Sequence, residues 1–261
     1  MELGVHAIVL RPAEGDGEAI TDKPDRKLRL LLDHEWLTYG WYRYGPGQRG
    51  ADPHIHREHC DGFYVLDGEI RVRLGPELEP VVAIAGSLVL IPPGLVHAFD
   101  NDSSAEARFL NFHAPDGGFA HYLRTREEDD FDSFDPPDDG GRPASDAIVT
   151  PPGGGEIFAS EIRTLTILGD LPQISVTRIA VTPAWQGIPT HDHENHVDSF
   201  FVLEGEAEVV VGDELVTAGA GSFYGAVPGA KHGMPHDPGG HAVFLNVHGP
   251  DAGFADSIRR G

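Results

Sequence analysis

The sequence contains little sulfur, few basic residues and no long apolar run, and each of these shortages excludes a class of protein. The one cysteine among 261 residues, Cys60, cannot form an internal disulfide or build a thiolate zinc site. Against 19 Lys and Arg stand 42 Asp and Glu, and 19 minus 42 gives a net charge of −23, which repels nucleic acids and anionic membranes. No stretch reaches the length of a membrane span, and the N-terminus lacks the basic start of a signal peptide. We therefore expect a cytoplasmic protein that binds metals only through histidine and carboxylate.

Three common catalytic motifs are also missing from the sequence. No GxSxG elbow of a serine hydrolase occurs. The glycine-rich stretches at 45–50 and 153–155 lack the following lysine and the strand-loop-helix context of a phosphate-binding loop. HREH and HENH do not have the HExxH spacing of a zinc protease. These absences make three large enzyme classes weak alternatives for this chain.

Glycine and proline are plentiful, with 33 and 21 residues, and they indicate many turns and short strands. The chain is also a tandem repeat. One set of residues recurs at an offset of 137, namely His54, His56, Asp61 and Gly68 as His191, His193, Asp198 and Gly205. A later set recurs at an offset of 135, namely Gly86, Gly94 and His97 as Gly221, Gly229 and His232, and FLNFHAPDGGFA (109–120) returns as FLNVHGPDAGFA (244–255). The duplication predicts two similar domains.

The predicted division is an N-terminal barrel over 1–125, an acidic Pro/Gly linker over 126–146 and a C-terminal barrel over 147–261. The linker, REEDDFDSFDPPDDGGRPASD, is dense in acid, proline and glycine, so we expect it to be exposed. The change of offset falls where the first copy reads GPELEPV (75–81) and the second GDELV (212–216). A hairpin loop is the place where a length change is tolerated.

Apolar residues alternate as they do in β-strands. We expect a hairpin about Asp67-Gly68 and another about Glu204-Gly205, together with further strands at 36–44, 87–92, 107–113, 173–181, 222–227 and 242–248. Only the segments after APDGGFA and GPDAGFA have helical spacing, with Phe119 and Leu123 or Phe254 and Ile258 on one face. The sequence therefore predicts an all-β fold in which each copy ends in a short helix.

Two histidines at i and i+2 on an extended segment point to the same side, so each HxH pair can reach one ion. Asp61 and Asp198 supply a hard anionic ligand, and His97 and His232 arrive after a Pro-Gly turn. Three imidazoles and one carboxylate suit Fe, Mn, Ni, Cu or Zn. The predicted metal ligands are His54, His56, Asp61 and His97 in the first copy, and His191, His193, Asp198 and His232 in the second.

These motifs resemble those of the cupin superfamily. Its first motif, HxHx4(E/D)x6G, matches 54–68 and 191–205, and its second, Gx5PxGx2Hx3N, matches 86–101 completely. The second copy has Val227 and His236 where the second motif has Pro and Asn. The resemblance covers nearly the whole chain and implies a bicupin, two tandem jelly-roll barrels with one divalent transition metal in each. The family's usual carboxylate ligand is Glu, so the shorter Asp61 and Asp198 either ligate directly or orient a ligand, with Glu58, Glu194, His59 and His196 as stand-ins.

The resemblance leaves the reaction open, since this fold hosts many activities. Because the duplication is similar to that of flavonol- and diketone-cleaving bicupins, we expect a metal-dependent dioxygenase acting on a small oxygenated molecule. Asp61 or Asp198 would serve as the base if released from the metal, and the first copy, with its fuller second motif, is the favoured active one. The alternatives are a non-catalytic binding or sensing module and a metal-dependent isomerase or lyase. We expect a monomer or homodimer with a small-molecule ligand and no nucleic acid or membrane partner.

Overall fold

The computed structural model describes residues 7–235 and 240–261, so the expected place of His236 in the second motif lies outside the described residues. The chain forms two compact units. The N-terminal unit is Glu18–Gly154, and the C-terminal unit combines Met1–Gly17 with Gly155–Gly261. No helix in the described ranges has the length and apolar content needed to cross a bilayer.

These units divide the chain differently from the sequence-based boundaries, because each half donates one edge strand to the unit formed by the other half. Strand β1 (Ile8–Leu10), which helix α1 (Ala13–Asp16) follows, pairs antiparallel with Phe223–Gly225 of the C-terminal unit. Ile148–Thr150, beyond the predicted linker, pairs with Leu88–Leu90 of the N-terminal unit. Segment 126–146, predicted as an exposed linker, belongs to the N-terminal unit, where Phe134 and Ile55 exchange two backbone hydrogen bonds.

The N-terminal unit is built from two antiparallel sheets and one α-helix. Its strands are β2 (Glu18–Lys23), β3 (Arg26–His34), β4 (Leu37–Tyr44), β5 (Gln48–Arg49), β6 (Cys60–Asp67), β7 (Glu69–Leu74), β8 (Glu79–Ile84), β9 (Leu88–Ile91), β10 (His97–Asn101), β11 (Ala107–Ala114) and β12 (Ile148–Thr150). A seven-stranded sheet has the order β12-β9-β6-β11-β4-β3-β2, and a four-stranded sheet has the order β5-β10-β7-β8. Helix α2 (Phe119–Thr125) buries Ala120 and Leu123 against the core. Two sheets packed in this order form a jelly roll.

The C-terminal unit repeats this architecture. Its further strands are β13 (Glu156–Ala159), β14 (Arg163–Leu171), β15 (Ile174–Val181), β16 (Ile188–His191), β17 (Val197–Glu204), β18 (Glu206–Val211), β19 (Glu214–Gly219), β20 (Phe223–Ala226), β21 (His232–Met234) and β22 (Ala242–Gly249). The large sheet runs β1-β20-β17-β22-β15-β14-β13, and the smaller one is represented by the pairs β16-β21 and β18-β19. Helix α3 (Phe254–Arg260) buries Ala255 and Ile258. The predicted all-β fold of two tandem jelly rolls, each with a terminal helix, is confirmed.

The prediction of one hairpin at Gly68 and another at Gly205 is wrong. Strand β6 pairs with β9 and β11, whereas β7 pairs with β8 and β10, so at Gly68 the chain passes from one sheet to the other. Gly68 has φ +69°, and a Cβ there would lie 2.3 Å from the carbonyl oxygen of Glu106. Alternating apolar residues flank this crossing as they would flank a hairpin, so the pattern cannot distinguish the two.

The length difference between the copies lies in a true hairpin, as expected. Leu74 pairs with Glu79, leaving a loop at 75–78, whereas Val211 pairs with Glu214, leaving a loop at 212–213. The first loop is longer by the two residues that separate the offsets of 137 and 135.

Candidate metal centres

In the C-terminal unit, four side chains that are far apart in the sequence converge. His191 ends β16, His193 follows it in a loop, Asp198 lies in β17 and His232 begins β21. One potential ligand atom from each of the four lies within 4.8 Å of those of the other three. The Nε2 atoms of His191 and His193 are 3.1 Å apart, and Nε2 of His232 is 3.4 Å from Oδ2 of Asp198. All four predicted residues of the second copy therefore face one point.

In the N-terminal unit, three of the four predicted residues form the corresponding group. His54, His56 and His97 place ligand atoms within 4.8 Å of one another. Asp61 is not part of this group, although its Oδ2 is 3.4 Å from Nε2 of His97. A second group contains His56 with His59 and His113, so His59, named from the sequence as a stand-in, lies beside the first centre.

Backbone carbonyls determine which ring nitrogen of these histidines faces the centre. Nδ1 of His54 is 2.8 Å from the carbonyl of Asp52, and Nδ1 of His97 is 3.0 Å from that of Leu95. In the other unit, the Nδ1 atoms of His191 and His232 contact the carbonyls two residues before them, at 2.8 and 2.9 Å. A carbonyl oxygen can only accept, so Nδ1 carries the hydrogen and Nε2 keeps its lone pair.

The buried Nε2 atoms of His56, His97 and His232 have no hydrogen-bond partner among the described residues. A buried acceptor without a partner is costly, and metal-ligating histidines characteristically donate their other ring nitrogen to a carbonyl. The donor set therefore fits a divalent transition metal in both units.

Burial favours the neutral imidazoles of His54 and His193, and nearby histidines favour the charged carboxylate of Asp198, which are the protonation states that bind metal. His232 differs, because Asp198 beside it outweighs burial and raises the pKa of its ring. Burial lowers the pKa of His54 to about 3 and that of His193 to about 4. Burial by itself would raise the pKa of Asp198, but His248 and His232 outweigh it and hold that pKa well below its ordinary value.

The aspartates are held by residues that the metal motifs do not include. Asn111 donates to Oδ1 of Asp61 at 2.6 Å, and Asn246 donates to Oδ1 of Asp198 at 2.7 Å. Nε2 of His248 is 2.9 Å from Oδ1 of Asp198. The sequence signal for these residues is the Asn-x-His that recurs in FLNFHAPD and FLNVHGPD.

The two units differ in how the neighbouring histidines are bonded. In the N-terminal unit His59 lies between two partners, with Nε2 at 2.9 Å from Nδ1 of His113 and Nδ1 at 2.9 Å from Asp132. Its counterpart His196 instead places Nδ1 at 2.9 Å from the side-chain oxygen of Asn195, and its Nε2 has no partner among the described residues. A Cβ on Gly117 would lie 2.3 Å from Nδ1 of His59, and Ala252 occupies the equivalent position in the C-terminal unit. The C-terminal unit thus carries a methyl group at the position where, in the N-terminal unit, a Cβ would overlap the ring of His59.

A cavity of about 840 Å³ opens onto the C-terminal cluster. His191, His193 and Asp198 line one part of it, and much of the remaining wall is apolar, including Leu165, Ile179, Trp185, Phe200 and Phe254. In the N-terminal unit the counterpart of Ile179 is Tyr42, a buried residue whose ring stacks on Phe109 with centroids 5.1 Å apart. An aromatic side chain therefore packs in the N-terminal unit at the position where Ile179 borders the cavity of the C-terminal unit.

Comparison with known proteins identifies both copies. The family model described as "Cupin domain" matches residues 40–113 and 177–248. In a search of curated proteins, no sequence matches this chain.

Solved structures resemble the chain over most of its length. A putative glyoxylate induced protein from Pseudomonas aeruginosa has a TM-score of 0.66 at 16% identity, covering 93% of this chain and 88% of that one. Protein Ylba from E. coli has a TM-score of 0.65 at 10% identity, with coverages of 94% and 91%. A mutant of Bacillus subtilis oxalate decarboxylase has a TM-score of 0.59 at 17% identity, with coverages of 96% and 78%. At these identities the likeness concerns the fold alone.

Proposed function

The chain belongs to the cupin domain family and contains two such domains, and on this basis we propose that it is a metal-dependent oxidoreductase. The proposed reaction is dioxygenation of a small oxygenated molecule resembling a flavonol or a diketone. The observation that carries the proposal is the convergence of His191, His193, Asp198 and His232 at the wall of an open cavity. Although the fuller second motif favoured the N-terminal copy, the cavity supports the C-terminal one as the active site.

One divalent transition metal, Fe, Mn, Ni, Cu or Zn, would be held in each unit. The C-terminal ligands are His191, His193, Asp198 and His232, and the N-terminal ligands are His54, His56 and His97 with Asp61 beside them. When bound, such an ion supplies Lewis acidity and open positions for substrate oxygens.

The protein's own groups orient the substrate and handle its proton. Apolar walls such as Leu165 and Ile179 exclude water from the substrate, which strengthens electrostatic interactions at the cluster. Asp198 is the candidate base once it is released from the metal, because its Oδ2 faces the cluster while Asn246 and His248 hold its Oδ1. Asp61 would have the same role in the N-terminal unit if that site reacts.

Oxygen uptake tests the proposal. Metal-free protein is reconstituted separately with Fe, Mn, Ni, Cu and Zn, and oxygen consumption is measured with a panel of flavonols, diketones and catechols. We expect at least one metal to support uptake with one class, and His232→Ala to abolish it. If no metal supports uptake with any compound, the oxidoreductase assignment fails.

Two other functions give different outcomes in the same reconstitution. Ligand binding without turnover would indicate a binding or sensing cupin. Substrate loss without oxygen uptake would indicate an isomerase or lyase, and one of the structurally similar proteins is an oxalate decarboxylase. Product analysis by mass spectrometry separates ligand binding without turnover from isomerase or lyase activity.

A further inference from the structure

The ring of Phe131 lies over the histidines of the N-terminal unit. Its centroid is 5.7 Å from that of His56 and 6.2 Å from that of His59. The same ring stacks on Tyr122, with centroids 4.8 Å apart, and lies 5.5 Å from the ring of Phe119 in helix α2. A benzene ring supplied by the chain itself therefore occupies a cradle of two imidazoles and two aromatic rings.

The counterparts of these cradle residues line the cavity of the C-terminal unit. They are His193 for His56, His196 for His59, Phe254 for Phe119 and Ser257 for Tyr122, and all four border the cavity. Three of the four are the same residue type in both units. The exchange of Tyr122 for Ser257 removes a ring, which makes the second cradle wider.

Asp132, the residue after Phe131, attaches this part of the chain to the loop that contains His54 and His56. Its carboxylate accepts hydrogen bonds from the backbone N–H groups of Arg57, Glu58 and His59, the shortest being 2.8 Å. Its backbone carbonyl lies 2.6 Å from Nδ1 of His56 and accepts the hydrogen of that ring. Burial would raise the pKa of Asp132, but the hydrogen bond from the His59 ring and those from the backbone N–H groups outweigh burial and hold that pKa well below its ordinary value.

Phe134 provides a second attachment on the same loop. Its backbone N–H donates to the carbonyl of Ile55 at 3.0 Å, and its carbonyl accepts from the N–H of Ile55 at 2.9 Å. The guanidinium of Arg57 lies 3.6 Å from the centroid of its ring. Residues 131–134, here called the plug, are therefore attached to this loop at Asp132 and at Phe134.

We propose that Phe131 and Asp132 of the plug occupy, in the N-terminal unit, the volume that a ligand with a planar aromatic ring occupies in the C-terminal unit. The C-terminal site alone then admits ligands, and the N-terminal site holds its ion behind the plug. This proposal rests on the proposed function only in requiring a metal in each unit, and it narrows the substrate class to aromatic chelators.

The test uses zinc-loaded protein and 4-nitrocatechol, a coloured aromatic chelator whose absorption changes when it binds a metal. We expect the wild-type protein to retain two zinc ions and to bind one equivalent of the probe. His97→Ala, which keeps only the C-terminal site intact, should bind the probe as tightly as wild type. His232→Ala, which keeps only the N-terminal site intact, should bind it at least about tenfold more weakly. Adding Phe131→Ala and Asp132→Ala to His232→Ala should restore binding.

The controls separate access from damage. Asp129→Asn, an exposed acidic residue next to the plug, should change neither zinc content nor probe binding. Acetohydroxamate, a chelator without an aromatic ring, should compete poorly for the C-terminal site. Wild-type binding of two equivalents, equal affinity in the two single-site variants, or preference for acetohydroxamate would overturn the proposal. Failure to retain zinc would instead refute the metal-dependent function, and probe binding without oxygen uptake would refute only the oxidoreductase activity.

Discussion

The side-chain amide of Asn246 donates a hydrogen bond to Oδ1 of Asp198 over 2.7 Å, and the same amide donates to the carbonyl of Ser199 at 3.1 Å. Asn246 is buried on β22, and Asp198 is buried on the neighbouring strand β17. The contact therefore orients the carboxylate of Asp198. It depends on strand register, because Asn246 lies beside Phe200 and reaches back to the residue two positions earlier.

Asn246→Leu should weaken metal binding in the C-terminal unit. Loss of the donor leaves Asp198 less restrained and partly unsatisfied, at a cost of about 1–3 kcal/mol in the free energy of unfolding. Zinc affinity at that site should fall about 10–100-fold, the usual effect of removing a group that orients a ligand. Denaturation and zinc titration measure the two effects, with Asn111→Leu as the matched change in the other unit. Unchanged zinc affinity would show that Asn246 has no orienting role.

Asp198→Asn should cost the C-terminal site more zinc affinity than Asp61→Asn costs the N-terminal site. Asp198 belongs to a group of four converging residues, whereas Asp61 lies beside a group of three. The expected difference is about tenfold, read from elemental analysis after dialysis at graded chelator concentrations. Equal metal loss in the two variants would show that both aspartates ligate alike.

The metal-free protein should lose stability as the pH falls below about 6.5. The pKa of His196 is lowered from 6.5 to about 4 and that of His54 to about 3, chiefly by burial. In the unfolded chain these histidines bind protons near pH 6.5, whereas in the folded chain they stay neutral at that pH. The free energy of unfolding therefore begins to fall near pH 6.5, and the loss is complete near the pKa values of the folded protein. Urea midpoints measured at pH 7 and pH 5 in the presence of a chelator test this.

His196→Gln should reduce that pH dependence, because glutamine does not titrate. His241→Gln is the control, since its ring is mostly exposed. A wild-type midpoint that is the same at both pH values would contradict the assignment.

Filling the C-terminal cavity should abolish ligand binding without removing the metal. The N-terminal barrel has Gly40 and Tyr42 where the C-terminal barrel has Thr177 and Ile179, and a Cβ on Gly40 would lie 2.6 Å from the Tyr42 ring. The double change Thr177→Gly with Ile179→Tyr therefore transfers the packed arrangement. Binding of 4-nitrocatechol should weaken about tenfold or more with zinc content unchanged, and Thr177→Gly alone is the control. Retained binding would place the ligand elsewhere.

Gly117→Ala should destabilise the N-terminal unit more than Gly47→Ala does. Both glycines have positive φ, +60° and +70°, but a Cβ on Gly117 would lie 2.3 Å from Nδ1 of His59, whereas Gly47 has open space. Gly47→Ala is the control, and it should lower the free energy of unfolding by about 1 kcal/mol through backbone strain alone. At Gly117 the steric overlap should lower it by about 1–3 kcal/mol more. Equal effects in chemical denaturation would contradict the proposed conflict with His59.

Several features of this fold could be predicted because they depend on local pattern. Alternation of apolar residues located β4, β11 and β22 closely, and the helical spacing after residue 118 located α2. The crossing at Gly68 and the exchanged strand β1 could not be predicted, since pairing between distant strands leaves no local signal. The composition of 126–146 likewise indicated an exposed linker, because acidic and proline-rich segments usually are exposed, and nothing in it specifies that Asp132 meets three backbone N–H groups.

The sequence by itself determined the duplication, the all-β class and the identity of the histidines that converge, because repeat spacing and strand periodicity are properties of the chain. Only the tertiary structure decided that the two units differ. Tyr42 packs inside the N-terminal barrel where Ile179 borders a cavity in the C-terminal barrel, and Phe131 lies over the N-terminal histidines. Both differences depend on which side chains share a volume. Steric exclusion between residues far apart in the sequence controls this packing.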